Sequence, residues 1–189
     1  MKYFIGLCFL TCSVVPGFGT TINFNTPSGD QGTSHTYGAI TATAYGPGTP
    51  HLYGKNSGGD ELGLGLTSDP SGDHEIVPGQ FIQLDVSSLG PITISFVMNS
   101  STNPDAWKVF ESSSAFATSG SSTMTGTDEN AHSITITSGM KYLDFTATGG
   151  NVLLSSISYT ATPEPIALAL TGSGLLGLFF LRRRRTGSQ

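Results

Sequence analysis

Cysteine is almost absent. The two present, Cys8 and Cys12, both stand in the first dozen residues, so no disulfide framework can be proposed for the rest of the chain. Charge is scarce too: only 11% of residues are Asp, Glu, Lys or Arg, which excludes a coiled coil or helical bundle, since these draw on Glu, Lys, Arg, Leu and Ala. Four of the eight basic residues are Arg182, Arg183, Arg184 and Arg185. Between positions 20 and 162, Lys55, Lys108 and Lys141 face twelve carboxylates, a net charge of −9, so nucleic acid is not an expected partner. The histidines, His35, His51, His74 and His132, are dispersed, and no Gly-x-Ser-x-Gly elbow occurs. No catalytic set emerges, and the chain is expected not to be an enzyme. Its 189 residues allow one core and two terminal segments.

What is present divides into three parts. Residues 1–19 carry a basic Lys2, an apolar run, the breaker Pro16, and the small residues Gly17 and Gly19 at positions −3 and −1, the pattern of a secretory signal peptide cleaved after Gly19. In the last part, residues 161–189, the stretch 166–181 has only Thr171 and Ser173 as polar residues. As a helix it spans about 24 Å, short for a bilayer core of about 30 Å. The four arginines behind it resist translocation and leave the acidic middle outside. Before it stand Pro163, Glu164 and Pro165, which hold the backbone extended and open to a processing cleft.

This tail, Pro-Glu-Pro followed by a short apolar helix and an arginine cluster, resembles the PEP-CTERM sorting signal. The resemblance rests on Pro163, Glu164, Pro165, the helix 166–181, and Arg182 to Arg185. It implies processing by exosortase, a membrane transpeptidase of Gram-negative bacteria that make exopolysaccharide. It also implies transient residence in the inner membrane, then the cell surface or extracellular matrix. The run 59–66, with the loop 69–73, the pair Glu75-Ile76 and the stretches 82–85, 106–110 and 150–157, also looks like recurrent segments of exported PEP-CTERM proteins. That likeness implies a family domain without implying a reaction.

The middle part, residues 20–160, reads as an all-β ectodomain. Short alternating runs are separated by Gly, Pro, Asn, Asp and Ser clusters. In 81–86, Ile82, Leu84 and Val86 share one face while Phe81, Gln83 and Asp85 share the other; in 92–98, Ile92, Ile94, Phe96 and Met98 fall together. These two runs, joined by residues 87–91, read as adjacent strands. Other strands are expected at 21–24, 34–45, 51–55, 106–112, 132–137, 142–147 and 152–160. Such a set suits a two-sheet β-sandwich of jelly-roll type.

Two groups are candidates for ligand binding. Asp60, Glu61, Asp69, Asp73 and Glu75 put five carboxylates within sixteen residues, and oxygen-rich loops of this kind can hold Ca²⁺. A solvated acidic turn is the plainer reading, and the spacing is not that of an EF-hand. Trp107, with Tyr37, Tyr45 and Tyr53, can form a stacking platform for sugar rings; its alternation with Val109 instead suits a place in the sheet core. The leading expectation is a non-enzymatic surface or matrix protein associated with exopolysaccharide. A calcium-stabilised carbohydrate-binding module and a secreted hydrolase are the alternatives.

Overall fold

The computed structural model describes residues 19–100 and 105–160. The expected signal peptide apart from Gly19, and the whole of the expected sorting signal with Pro163, Glu164, Pro165 and Arg182 to Arg185, lie outside the described residues. Among the described residues no helix is long and apolar enough to cross a membrane.

The strands in chain order are β1 (Gly19–Asn23), β2 (Gly29–Asp30), β3 (Ser34–Tyr37), β4 (Ile40–Tyr45), β5 (Leu52–Asn56), β6 (Leu62–Leu66), β7 (Phe81–Asp85), β8 (Thr93–Asn99), β9 (Ala106–Ser112), β10 (Ser121–Gly126), β11 (Ala131–Thr135), β12 (Tyr142–Gly149) and β13 (Leu153–Thr160). They form two antiparallel sheets. One has the order β11-β8-β13-β6-β5-β2, with β1 also paired to β13; the other has the order β10-β9-β12-β7-β4-β3.

Alternation along the strands explains the packing. In β4, Ile40, Ala42 and Ala44 are buried while Thr41, Thr43 and Tyr45 are half-exposed, and in β8 Ile94, Phe96 and Met98 are buried. Successive side chains point to opposite faces, so each sheet offers one apolar face, and the two meet in a single core. Phe96 of β8 makes edge contacts with Trp107 of β9, at 5.5 Å between ring centroids, and with Phe145 of β12, at 5.4 Å. These rings join the two sheets.

Several expectations are corrected. The runs at 81–86 and 92–98 are strands, β7 and β8, but they are not neighbours: β7 lies between β12 and β4, and β8 between β11 and β13 of the other sheet. A short 3₁₀ turn, Ser87–Leu89, and Gly90 at φ 67° carry the chain across. Alternation determines which face of a strand is buried, not which strand lies beside it. The expected strand 34–45 is a hairpin that turns at Gly38 (φ 62°), pairing Tyr37 with Ile40. Strands β2, β6 and β10 were not expected. In β6, Leu64, Gly65 and Leu66 are all buried, so two-residue alternation is lost.

The glycines of β6 have a packing role. A Cβ at Gly65 would lie 1.9 Å from the carbonyl oxygen of His74, and one at Gly63 would lie 2.7 Å from that of Leu154. Neighbouring backbone therefore lies directly against this strand, a closeness only glycine allows.

Candidate functional site

The acidic stretch does not gather round one point. Lys55 on β5 lies between two of its carboxylates: it pairs with Glu61 and with Glu75, the latter at 2.8 Å. Ser100 Oγ donates to the same Glu75 oxygen at 3.1 Å. Burial pushes the Glu75 carboxyl above its ordinary range despite Lys55, while the Lys55 hydrogen bond holds Glu61 below it. Asp69 is spent on its own loop, accepting from Ser71 N at 2.9 Å, Ser71 Oγ at 2.6 Å and Glu75 N at 3.2 Å. Asp60 and Asp73 are exposed. An ammonium thus takes the position a metal would need, and among the described residues no three His, Cys, Asp or Glu side chains form a metal-holding group. The five residues do not fit a Ca²⁺ cage.

The four aromatics proposed as a platform are also apart. Trp107 is fully buried, donates its indole N–H to the Asp128 carbonyl at 3.0 Å, and packs on Phe96 and His132. Tyr37 is buried against Phe24, and Tyr53 stacks on His74. Tyr45 alone joins a partly open aromatic group, with Phe81 stacked on it at 4.9 Å and Phe116 edge-on at 4.7 Å.

That group belongs to the outer face of the six-stranded sheet, and the register builds it. Tyr45, Phe81, Thr146, Lys108 and Thr125 form one row across five strands. The next row is Ser34, Thr43, Gln83, Asp144 and Phe110. A third is Thr36, Thr41, Asp85, Tyr142 and Ser112. The loop of residues 113–120, between β9 and β10, lies over this face and reaches past β12 and β7 to Tyr45 on β4, three interstrand spacings or roughly 14 Å.

A buried polar chain holds the loop. Ser112 Oγ donates to Asp144 at 2.8 Å, Gln83 Nε2 donates to the other Asp144 oxygen at 2.6 Å, and Gln83 Oε1 accepts the Phe116 N–H at 3.4 Å. Burial pushes the Asp144 carboxyl up to about 6, with the Ser112 and Gln83 hydrogen bonds opposing. Phe116 itself is 70% exposed, the one large apolar side chain so exposed among the described residues. Its φ is 64°, a left-handed backbone that costs a non-glycine residue about 1 kcal/mol.

Sequence reasoning named Tyr45 but missed Phe116, Gln83, Asp144 and Ser112. One signal was available: an isolated aromatic within the Ser-rich stretch 112–122.

The other features carry less chemistry. His51 Nδ1 pairs with Asp30 at 2.9 Å and His132 Nε2 with Asp128 at 2.7 Å, and each hydrogen bond holds its aspartate below the usual range. An open groove of about 420 Å³ on the seven-stranded sheet is lined by hydroxyls including Thr21, Thr93, Ser95, Ser133 and Ser158, without a charged residue. Compared with known proteins, the chain matches no family model and no curated sequence.

Proposed function

We propose that this chain is an exported, non-enzymatic surface or extracellular-matrix protein. In this reading a PEP-CTERM-type signal delivers it, an exosortase-type membrane transpeptidase trims it, and the mature domain associates with exopolysaccharide. The observation that carries the reading is the tail: Pro163, Glu164 and Pro165, the nearly apolar stretch 166–181, then Arg182 to Arg185. This order begins three residues after β13 ends at Thr160.

The domain is read as a jelly roll, and the strand order supports this. From β6 to β13 the chain alternates between sheets apart from the β9–β10 hairpin, giving β6-β13-β8-β11 in one sheet and β7-β12-β9-β10 in the other. Strands β2 to β5 extend both sheets at one side. The calcium and hydrolase alternatives draw less support, because Glu75 is buried against Lys55 and Asp73 is exposed.

The intact mass of protein extracted from the cell surface tests the reading. The expected species begins at Thr20 and has lost the residues beyond Pro165. A species retaining both ends would leave a plain anchored domain and overturn the sorting account.

A further inference from the structure

Phe116 combines two unfavourable features in one residue. A phenyl ring is left 70% exposed, and the backbone carrying it has the left-handed φ of 64° that glycine would adopt without strain. Glycine is abundant in this chain, with 25 residues, yet this turn uses phenylalanine. The turn is also fixed from beneath. Ser112, Asp144 and Gln83 form a hydrogen-bonded chain ending on the Phe116 N–H, and Asp144 and Gln83 are both buried. A fully satisfied buried network is rigid, so the ring is held in a defined place next to Tyr45 and Phe81.

The surroundings specify the ligand class. The three rows of this face contain Asp85, Lys108 and the buried Asp144 as their only charged residues, the remainder being hydroxyl, amide and aromatic side chains. The residues between 20 and 162 as a whole carry −9, which disfavours a polyanion by like-charge repulsion. The exposed aromatic surface is the open Phe116 ring with the half-exposed Tyr45 and Phe81 beside it, far below the roughly 800 Å² per partner that a stable protein interface buries. A ligand matched to a single ring bordered by hydroxyls is flat, apolar on its face and rich in hydroxyl groups at its edge. An uncharged pyranose has that form: its C–H face packs on an aromatic ring while its rim hydrogen-bonds to groups such as Thr43 and Tyr142.

We propose that Phe116, with Tyr45 and Phe81, forms a binding site for a neutral pyranose polysaccharide on the outer face of the six-stranded sheet. The inference deepens the function proposed above by naming the ligand class and the site. It takes from that reading the premise that the mature chain meets polysaccharide outside the cell.

The test is affinity electrophoresis of the purified full chain in a detergent without a sugar head group. The gels contain dextran, a galactomannan or a mixed-linkage β-glucan, with alginate as the acidic control. At least one neutral polymer is expected to retard the chain and alginate is not. Phe116→Ala is expected to weaken that retardation about ten-fold, and Phe116→Trp to preserve it. Because residue 116 is at the surface, both variants are expected to melt within a few degrees of the parent, and that control separates lost binding from lost folding.

Retardation by no neutral polymer, retardation by alginate alone, or equal retardation of parent and Phe116→Ala would each overturn the site. So would a dimer in sedimentation that Phe116→Ala dissolves, since the ring would then serve a second copy. Export is judged separately by the intact mass: an untrimmed chain that still binds the neutral polymer refutes the delivery route alone, and a trimmed chain that does not bind refutes the site alone.

Discussion

Asp144 gives the molecule a pH response that can be isolated. Burial raises its carboxyl to about 6, against an ordinary value of 3.8, so the folded protein keeps this proton to a higher pH than the unfolded chain does. Between these values the folded state binds more protons, and stability from this group falls as pH rises from about 4 to about 6, by on the order of 2 kcal/mol. Asp144→Asn removes the effect and keeps the network: Gln83 still donates to the remaining oxygen, and the new amide donates to Ser112 Oγ, whose hydroxyl is 3.2 Å from the Ser114 carbonyl. Urea denaturation of both proteins at pH 4 and pH 7 checks this. The variant is expected to gain about 2 kcal/mol on the parent between the two, and parallel pH profiles would contradict it.

At the level of the strand, β6 shows how glycine permits close backbone contact. Gly65→Ala would place a methyl group 1.9 Å from the His74 carbonyl oxygen, and both partners are backbone, so the strand or the 67–76 loop must move. The expected cost is about 2–4 kcal/mol, measured by chemical denaturation. Gly58→Ala is the comparison: φ is 89° there, but space is open, and the expected cost is about 1 kcal/mol. Equal costs would show that the close approach at Gly65 does not govern stability.

The same strands show what the sequence made legible. Strands β4, β7 and β8 were readable because each turns one apolar face to the core, which writes alternation into the residues. Strand β6 was not, because both its faces are covered and its small residues resemble a loop. The face bearing Phe81, Gln83 and Asp85 was visible from alternation alone. The site on it was not, since Gln83 and Asp144 are 61 positions apart and Ser112 and Asp144 are 32 apart; they meet only because β7 and β9 flank β12. Strand adjacency is a property of the whole sheet, and no local pattern records it. The acidic stretch was misleading for the opposite reason: of five carboxylates close in sequence, Glu61 and Glu75 are taken up by Lys55, Asp69 by its own turn, and Asp60 and Asp73 face solvent.

At the scale of the molecule, the last two strands are the central ones. Strand β12 lies between β9 and β7, and β13 between β8 and β6 with β1 also paired to it, so that Gly19 is opposite Thr160. Removing residues 153–160 therefore leaves β1 without a partner, splits the sheet between β8 and β6, and deprives the core of Leu154, Ile157 and Tyr159. A chain ending at Val152 is expected to show no cooperative thermal transition, with amide exchange unprotected even in β7 and β9. Native-like protection in that shortened chain would mean the six-stranded sheet folds without its partner.

An architecture whose keystones are the last two strands of the described domain also has a temporal consequence. A polypeptide threaded outward from its amino end cannot lock before nearly all of it has crossed, because the pieces that bind each layer together arrive last. On the export route proposed above, the chain would stay pliable until then, and its final ribbon would set at the end of the passage.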